Sequence, residues 1–222
     1  MIKAVFFDIN ETILDLKVIN KKFDKYFESQ HVGEYWFSKL LHTSNIMSIM
    51  NEYVDFNKLA EIVLENIFYE NDKEITKDIK SEILGTFKTL PIYPDVRESL
   101  EILKENGIKI IALSNSSLEM MKIQLQSENI KKIFDNYYSV DSVKKYKPYS
   151  DIYEYVADQE NLSFEEIIMV ASHDWDLFGA KKVGMRTAYI NRKKEIFNPT
   201  YPNPDISERN LVSLAKKIIN IK

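Results

Sequence analysis

The stretch Val5-Phe6-Phe7-Asp8-Ile9-Asn10-Glu11-Thr12-Ile13-Leu14-Asp15 decides the fold. An apolar run reaches Phe7 and then delivers a carboxylate at Asp8, where the hydrophobic pattern breaks. A run without polar alternation suits a strand buried on both faces, and such strands belong to parallel sheets covered by helices on each side. In open sheets of that kind, ligands gather in the crevice beyond the carboxyl ends of the strands. Asp8 therefore stands where a ligand would. With Thr12 four residues on, two readings are open: an aspartate used as a nucleophile, or one that ends the strand and caps the next turn.

The rest of the composition narrows the class. A chain of 222 residues accommodates one large domain or a core with a smaller insertion. Its 45% apolar content is enough for a buried core, and 29% charge is ordinary for a globular protein. The absence of cysteine excludes disulfides, thiolate metal sites and cysteine nucleophiles. A net charge of −4 argues against nucleic acid as a partner, because phosphate binding needs a basic surface. Lysine pairs such as Lys131-Lys132, Lys193-Lys194 and Lys216-Lys217 are scattered and read as solvated faces. The chain enters a strand without a basic segment and apolar leader before it. No run approaches the roughly 18 apolar residues of a membrane span. The expectation is a soluble cytoplasmic protein acting on a small molecule, with no nucleic-acid or membrane partner and a homodimer left open.

From Asp15 to about Phe87 the pattern is helical. Trp36, Leu40, Thr43 and Met47 fall on one face of a 3.6-residue period, as do Leu59, Ile62, Val63 and Phe68. The first proline is Pro91, so the segment reads as a compact group of three or four helices inserted after the first strand. Strand and helix then alternate. Asp95 is placed to cap a helix carrying Val96, Leu100 and Leu103 that ends at Gly107. Strands are expected over residues 108–113, near 137–140, over 167–170 and over 186–190. Between them lie a helix with Met121 and Leu125, one beginning at Pro148, and one over residues 176–183. Ser163 and Glu166 have capping-box spacing, and Ser207 is expected to cap the last helix. The fold expected is α/β, a doubly wound parallel sheet with right-handed crossovers. Residues 1–14 and 90–222 would form the core, and residues 15–89 an all-helical cap.

Polar residues close several strands in turn: Asp8, Ser114-Asn115 and Ser172-His173, with Lys147 in the loop after Tyr138 and Asp174 and Asp176 close behind. Together with Phe7-Asp8-Ile9-Asn10-Glu11-Thr12, Tyr146-Lys147-Pro148 and Val170-Ala171-Ser172-His173-Asp174-Trp175-Asp176, these residues resemble the haloacid dehalogenase superfamily over nearly the whole chain. The stretch from Lys147-Pro148 through Trp175-Asp176 to Gly184 is most similar to its type II 2-haloacid dehalogenase branch. The resemblance implies a Rossmann-like core with a helical cap and no required cofactor. It also implies that Asp8 attacks the substrate and forms an ester that water cleaves. Lys147 would keep Asp8 ionised, unless it is an ordinary surface lysine. Asp176 would orient Lys147 or the water, or cap its helix. Asn10, Thr12, Ser114 and Asn115 would hold the substrate, although a strand-ending Ser-Asn is also a common turn pair. Tyr153 matches a tyrosine in the site and could equally be core.

The chain also departs from the family. Phosphatases of the superfamily carry an aspartate at the place of Asn10, and an amide cannot donate that proton. They also carry one at Ser172, so a Mg²⁺ site built from Asp8, Asn10 and Asp176 would be thin. The dehalogenase branch has Tyr-Gly where Asn10-Glu11 stand, and a halide-receiving arginine where Phe37 stands. Lys39 is two residues from that place and reads as a solvated helix residue. His173 replaces an asparagine and could activate the ester-cleaving water or be merely structural. His31 and His42 receive no chemistry. The reading is a 2-haloacid dehalogenase, with a Mg²⁺-dependent phosphatase or a non-catalytic binding protein as alternatives.

Overall fold

The computed structural model describes residues 1–29 and 31–221. Among the described residues six strands form one sheet: β1 (Ala4–Phe7), β2 (Lys109–Ser114), β3 (Asn136–Ser139), β4 (Ile167–Ala171), β5 (Arg186–Ile190) and β6 (Ile206–Glu208). Their order is β3-β2-β1-β4-β5-β6 and every pairing is parallel. Val5 lies between Ile110 and Ile168, so β1 is central. After β3 the chain returns across β1 to β4, and a crevice opens where the winding reverses. All of β1 and β4 is buried, as their unbroken apolar runs require.

Between β1 and the rest of the sheet the described residues form the helices α1 (Lys17–Phe23), α2 (Val32–Ile49), α3 (Phe56–Glu70) and α4 (Lys77–Gly85), then a 3₁₀ turn over Thr86–Thr89. Trp36, fully buried, packs against Phe23, Phe37 and Phe87, and its indole N–H donates to the Ala60 carbonyl at 3.2 Å. Hydrogen bonds tie the group to the loops at the strand ends. The Tyr146 backbone N–H donates to Ser48 Oγ at 2.8 Å, and the Tyr53 hydroxyl donates to Asp141. The buried face of α2 therefore runs through Ser44 and Ser48 rather than Met47, because one of these serines meets the core loop. Ile62 is exposed although periodicity placed it inward.

Helices α5 (Val96–Glu105), α6 (Leu118–Ser127), α7 (Ser150–Glu160), α8 (Asp174–Lys182) and α9 (Leu211–Ile218) complete the core. The capping box of Ser163 and Glu166 forms as expected. Three local expectations are corrected. Strand β6 went unread: Ser207 sits in it beside Tyr189, and Asn210 caps α9 by accepting from the Ser213 N–H. Asp95 precedes α5 but gives its carboxylate to Arg192 and to the Leu211 N–H. Helix α7 starts at Ser150, two residues past Pro148.

Candidate active site

Asp8 follows β1 directly, and its backbone N–H still donates to the Val170 carbonyl at 3.0 Å. The chain then turns back sharply. The N–H groups of Ile13 and Leu14 both donate to the Ile9 carbonyl, and Glu11 takes a left-handed conformation with φ of 60°. A side chain is uncommon there, so surrounding contacts must hold it. Two of them do. Arg192 donates to the Thr12 carbonyl at 3.1 and 3.2 Å while its guanidinium is paired with Asp95. Lys193 and His173 hold the Glu11 carboxylate. The turn returns the Thr12 hydroxyl to Asp8, where it donates to Oδ2 at 2.7 Å and accepts from the Ser172 N–H at 2.8 Å.

Lys147 reaches Asp8 from the loop after β3. Asn115, at the end of β2, places it by accepting the Lys147 backbone N–H at 3.1 Å. The ammonium is 1% exposed and has three protons to place. They go to Asp8 Oδ1 at 2.7 Å, Asp176 Oδ2 at 2.7 Å and the Leu113 carbonyl at 3.2 Å. Nothing is left over. The other oxygen of Asp176 accepts from the Tyr153 hydroxyl. His173 stands on the opposite side of Asp8. Its Nδ1 lies 3.2 Å from Asp8 Oδ2 and its Nε2 lies 2.9 Å from Glu11 Oε2. Trp175 stacks on the imidazole with centroids 5.1 Å apart.

Protonation follows from these contacts. Burial pushes the Asp8 carboxyl upward, but the Lys147 charge and the His173 contact outweigh it and hold Asp8 well below the usual carboxylate range. For Lys147 burial opposes the charge, and the two carboxylates outweigh burial, so it stays an ammonium. Burial would discharge His173, yet its bonds to Asp8 and Glu11 raise it to about 9. Asp176 is raised, chiefly by burial and against the pull of Lys147, with Asp8 adding repulsion. At neutral pH Asp8 is therefore an anion between two cations, the state a carboxylate nucleophile needs.

The donor set does not fit a divalent cation. The ammonium of Lys147 bridges the two carboxylates a metal would need, and Asp176 has its second oxygen on Tyr153. Asp174 is committed to the Asn198 backbone N–H. Among the described residues, no group of three or more metal-ligating side chains has the geometry to hold an ion. The Mg²⁺ set of Asp8, Asn10 and Asp176 is thus not assembled.

A cavity of about 230 Å³, bounded by Glu11, Phe37, Leu41, Ser172, His173 and Lys193, adjoins this network. A larger one of about 520 Å³, bounded by Phe56, Leu84, Phe87 and Met120, contains none of the residues around Asp8. Of these two the smaller is the candidate site, because Glu11, His173 and Lys193 converge in it and His173 bonds to Asp8. Of the residues expected from sequence, Asp8, Thr12, Lys147, His173 and Asp176 form one network. Asn115 is its scaffold. Asn10 is adjacent: its Nδ2 donates to Ser116 Oγ at 3.1 Å, and its buried Oδ1 has no partner among the described residues. Two further expected substrate contacts are engaged within the protein. Ser114 accepts from the Ser116 N–H and locks its own turn, and Tyr153 is fully buried behind Asp176. Lys39 pairs with Glu70 on α3, as its period implied. Glu11, Arg192 and Lys193 were not anticipated. The one available signal was a charged Glu11 between Asn10 and Thr12, directly after the strand-ending Asp8.

A family model for haloacid dehalogenase-like hydrolases matches residues 2–184. The chain belongs to that family. This hydrolase is 31% identical to (S)-2-haloacid dehalogenase 4A of Burkholderia cepacia, over 86% of its own length and 84% of that protein. It is 29% identical to an (S)-2-haloacid dehalogenase of Pseudomonas sp. (strain YL), covering 92% and 89% of the two chains. A crystal structure of a dehalogenase with an intermediate complex superposes with a TM-score of 0.92 at 28% identity, over 97% and 96% of the chains. L-2-haloacid dehalogenase from Xanthobacter autotrophicus, solved with chloropropionic acid covalently bound, reaches 0.93 over the whole of both chains. At 21% identity that match speaks for the fold. The hydrolase thus has the α/β sheet and helical insertion of these enzymes.

Proposed function

We propose that this hydrolase cleaves the carbon–halogen bond of a short 2-halo carboxylate through an ester on Asp8. One observation carries the reading: the Asp8 carboxylate is buried, held ionised by Lys147 and His173, and linked to a small cavity through His173, which lines it. An Asp8 oxygen attacks the carbon bearing the halogen from the side opposite to it. The C–O bond forms, and the halide departs with the electrons of the C–X bond. Halide needs no proton on leaving, so Asn10 in place of an acid is no handicap. Water then attacks the ester carbonyl, and the 2-hydroxy acid leaves with its carbon inverted. No step calls for a cofactor.

Attack by either Asp8 oxygen leaves the other within reach of a donor, Lys147 at Oδ1 or Thr12 at Oδ2, to take the negative charge of the hydrolysis intermediate. Lys193 and His173 supply positive potential to an anionic substrate, and Phe37 covers its apolar side. In this reading residues 1–14 and 90–222 are the catalytic core, and residues 15–89 are a cap that shields the cavity. The names of the relatives support the same substrate class.

The test is chloride release from 2-chloropropionate, read beside phosphate release from p-nitrophenyl phosphate with and without Mg²⁺. Chloride release that disappears in Asp8→Asn is the expected outcome. Metal-stimulated phosphate release with no chloride would overturn the reading.

A further inference from the structure

We propose that His173 is the general base of ester hydrolysis and that Glu11 is its positioning residue, an assignment that rests on the dehalogenase reading of the site. The argument begins by elimination among the groups touching Asp8 and Lys147. Lys147 is a donor only, with all three protons placed. Asp176 is fully buried and both its oxygens are engaged, by Lys147 and Tyr153. Thr12 already donates to Asp8 and accepts from the Ser172 N–H. The amide of Asn10 cannot take a proton. Among the described residues in contact with Asp8, His173 remains the group able to accept one.

Its two nitrogens are differently held. Nε2 faces Glu11 and Nδ1 faces Asp8. A carboxylate on one nitrogen selects the tautomer with the proton on that side and leaves the other as an acceptor. Here the acceptor points at the carboxyl group that becomes the ester. Glu11 is itself held, by Lys193 at 2.7 Å on its other oxygen, and Trp175 stacks on the ring. The charged groups facing the imidazole are therefore Asp8 and Glu11 directly, with Lys147 and Lys193 behind them. Asp174, next in the chain, turns its carboxylate to the Asn198 N–H.

The arrangement makes the base appear only when needed. In the resting enzyme two carboxylates keep His173 protonated. Alkylation of Asp8 removes one of those charges, and the imidazolium releases its proton to solvent. Neutral Nδ1 then takes a proton from water as the hydroxide oxygen bonds to the ester carbonyl carbon. When the intermediate collapses, the C–O bond to the alkoxide breaks and His173 returns the proton to that oxygen. The regenerated Asp8 carboxylic acid passes its own proton to His173, restoring the starting charges. One halide, one hydroxy acid and one proton have left.

Rapid quench with enzyme and 2-chloropropionate, paired with intact-protein mass spectrometry, tests this. In His173→Gln, and equally in His173→Asn, the first chloride per site is released. Turnover then falls by about 10²–10⁴-fold, the usual contribution of a general base. Protein carrying one propionate unit accumulates, and free imidazole accelerates its decay in His173→Gly. Glu11→Gln lowers kcat with little change in KM and moves the acid limb of the kcat profile to lower pH, while Glu11→Asp recovers part of the rate. Folded His173 variants that turn over at the wild-type rate, or that fail to release the first chloride, overturn the assignment. Wild-type enzyme that releases no chloride refutes the dehalogenase reading itself, which separates the two failures.

Discussion

Replacing Lys147 by alanine tests the centre of the site. The side chains of Asp8 and Asp176 are 7% and 0% exposed, and both bond to the same ammonium at 2.7 Å. Removing it leaves two buried carboxylates facing each other with no charge between them, and strips a donor from the Leu113 carbonyl. Truncating one partner of a buried ion pair costs about 3–5 kcal/mol, because the stranded charge stays desolvated. Lys147→Ala should lose about that much stability at neutral pH by urea unfolding. The sign of the pH dependence is also determined. In the wild type the lowered Asp8 contributes stability that is present above its unfolded value of 3.8 and lost as pH falls through its lower folded value. In the variant the carboxyls bind a proton more readily than in the unfolded chain, so its deficit shrinks as pH drops toward about 5. Chloride release should fall by about 10²-fold or more, as for loss of one electrostatic contributor. Restoring charge balance with Asp176→Asn in the same protein should recover stability and not turnover. Wild-type stability and chloride release in Lys147→Ala would refute this account.

Three further outcomes follow from other contacts. His173 titrates near 6.5 when unfolded and about 9 here, so its contribution is fully present below 6.5 and lost as pH rises through 9. Relative to His173→Gln, the wild type should lose on the order of 3 kcal/mol between about pH 6 and pH 10, followed by urea unfolding. Gly179→Ala would bring a methyl to 2.5 Å from the Pro148 carbonyl oxygen and 2.9 Å from the Tyr153 ring. An overpacking cost of about 1–3 kcal/mol is expected, with kcat falling as Tyr153 shifts against Asp176; an unchanged Tm would refute it. Thr12→Val removes a donor to Asp8 and strands the Ser172 N–H. It should cost about 1–3 kcal/mol by the same unfolding measurement, and no loss would show that water replaces the hydroxyl freely.

Local pattern was enough to read much of this protein. The apolar runs ending in Asp8, Ser114 and Ala171 describe buried parallel strands, since nothing else tolerates that density of unalternated apolar residues. The motifs that resemble the haloacid dehalogenase family marked Asp8, Thr12, Lys147, His173 and Asp176. Short or conditional features escaped. Strand β6 has three residues, too few for a period, and Asp95 sits where a cap belongs yet serves Arg192 and Leu211. Ser114 and Tyr153 stand in the motif as expected substrate contacts, and only the fold shows them bonded to the Ser116 N–H and to Asp176, because which way a side chain faces depends on the element packed against it.

Order along the chain therefore determined the sheet and the helical insertion, and the family resemblance it carries marked Asp8 and Lys147 as the candidate nucleophile and its lysine. Tertiary structure alone decided the charge state of the site. Glu11, Lys193 and His173 come from the turn after β1, the loop after β5 and the end of β4. Whether an imidazole is an acid, a base or a packing group depends on carboxylates brought within about 3 Å of it by folding, a distance that no one-dimensional spacing encodes.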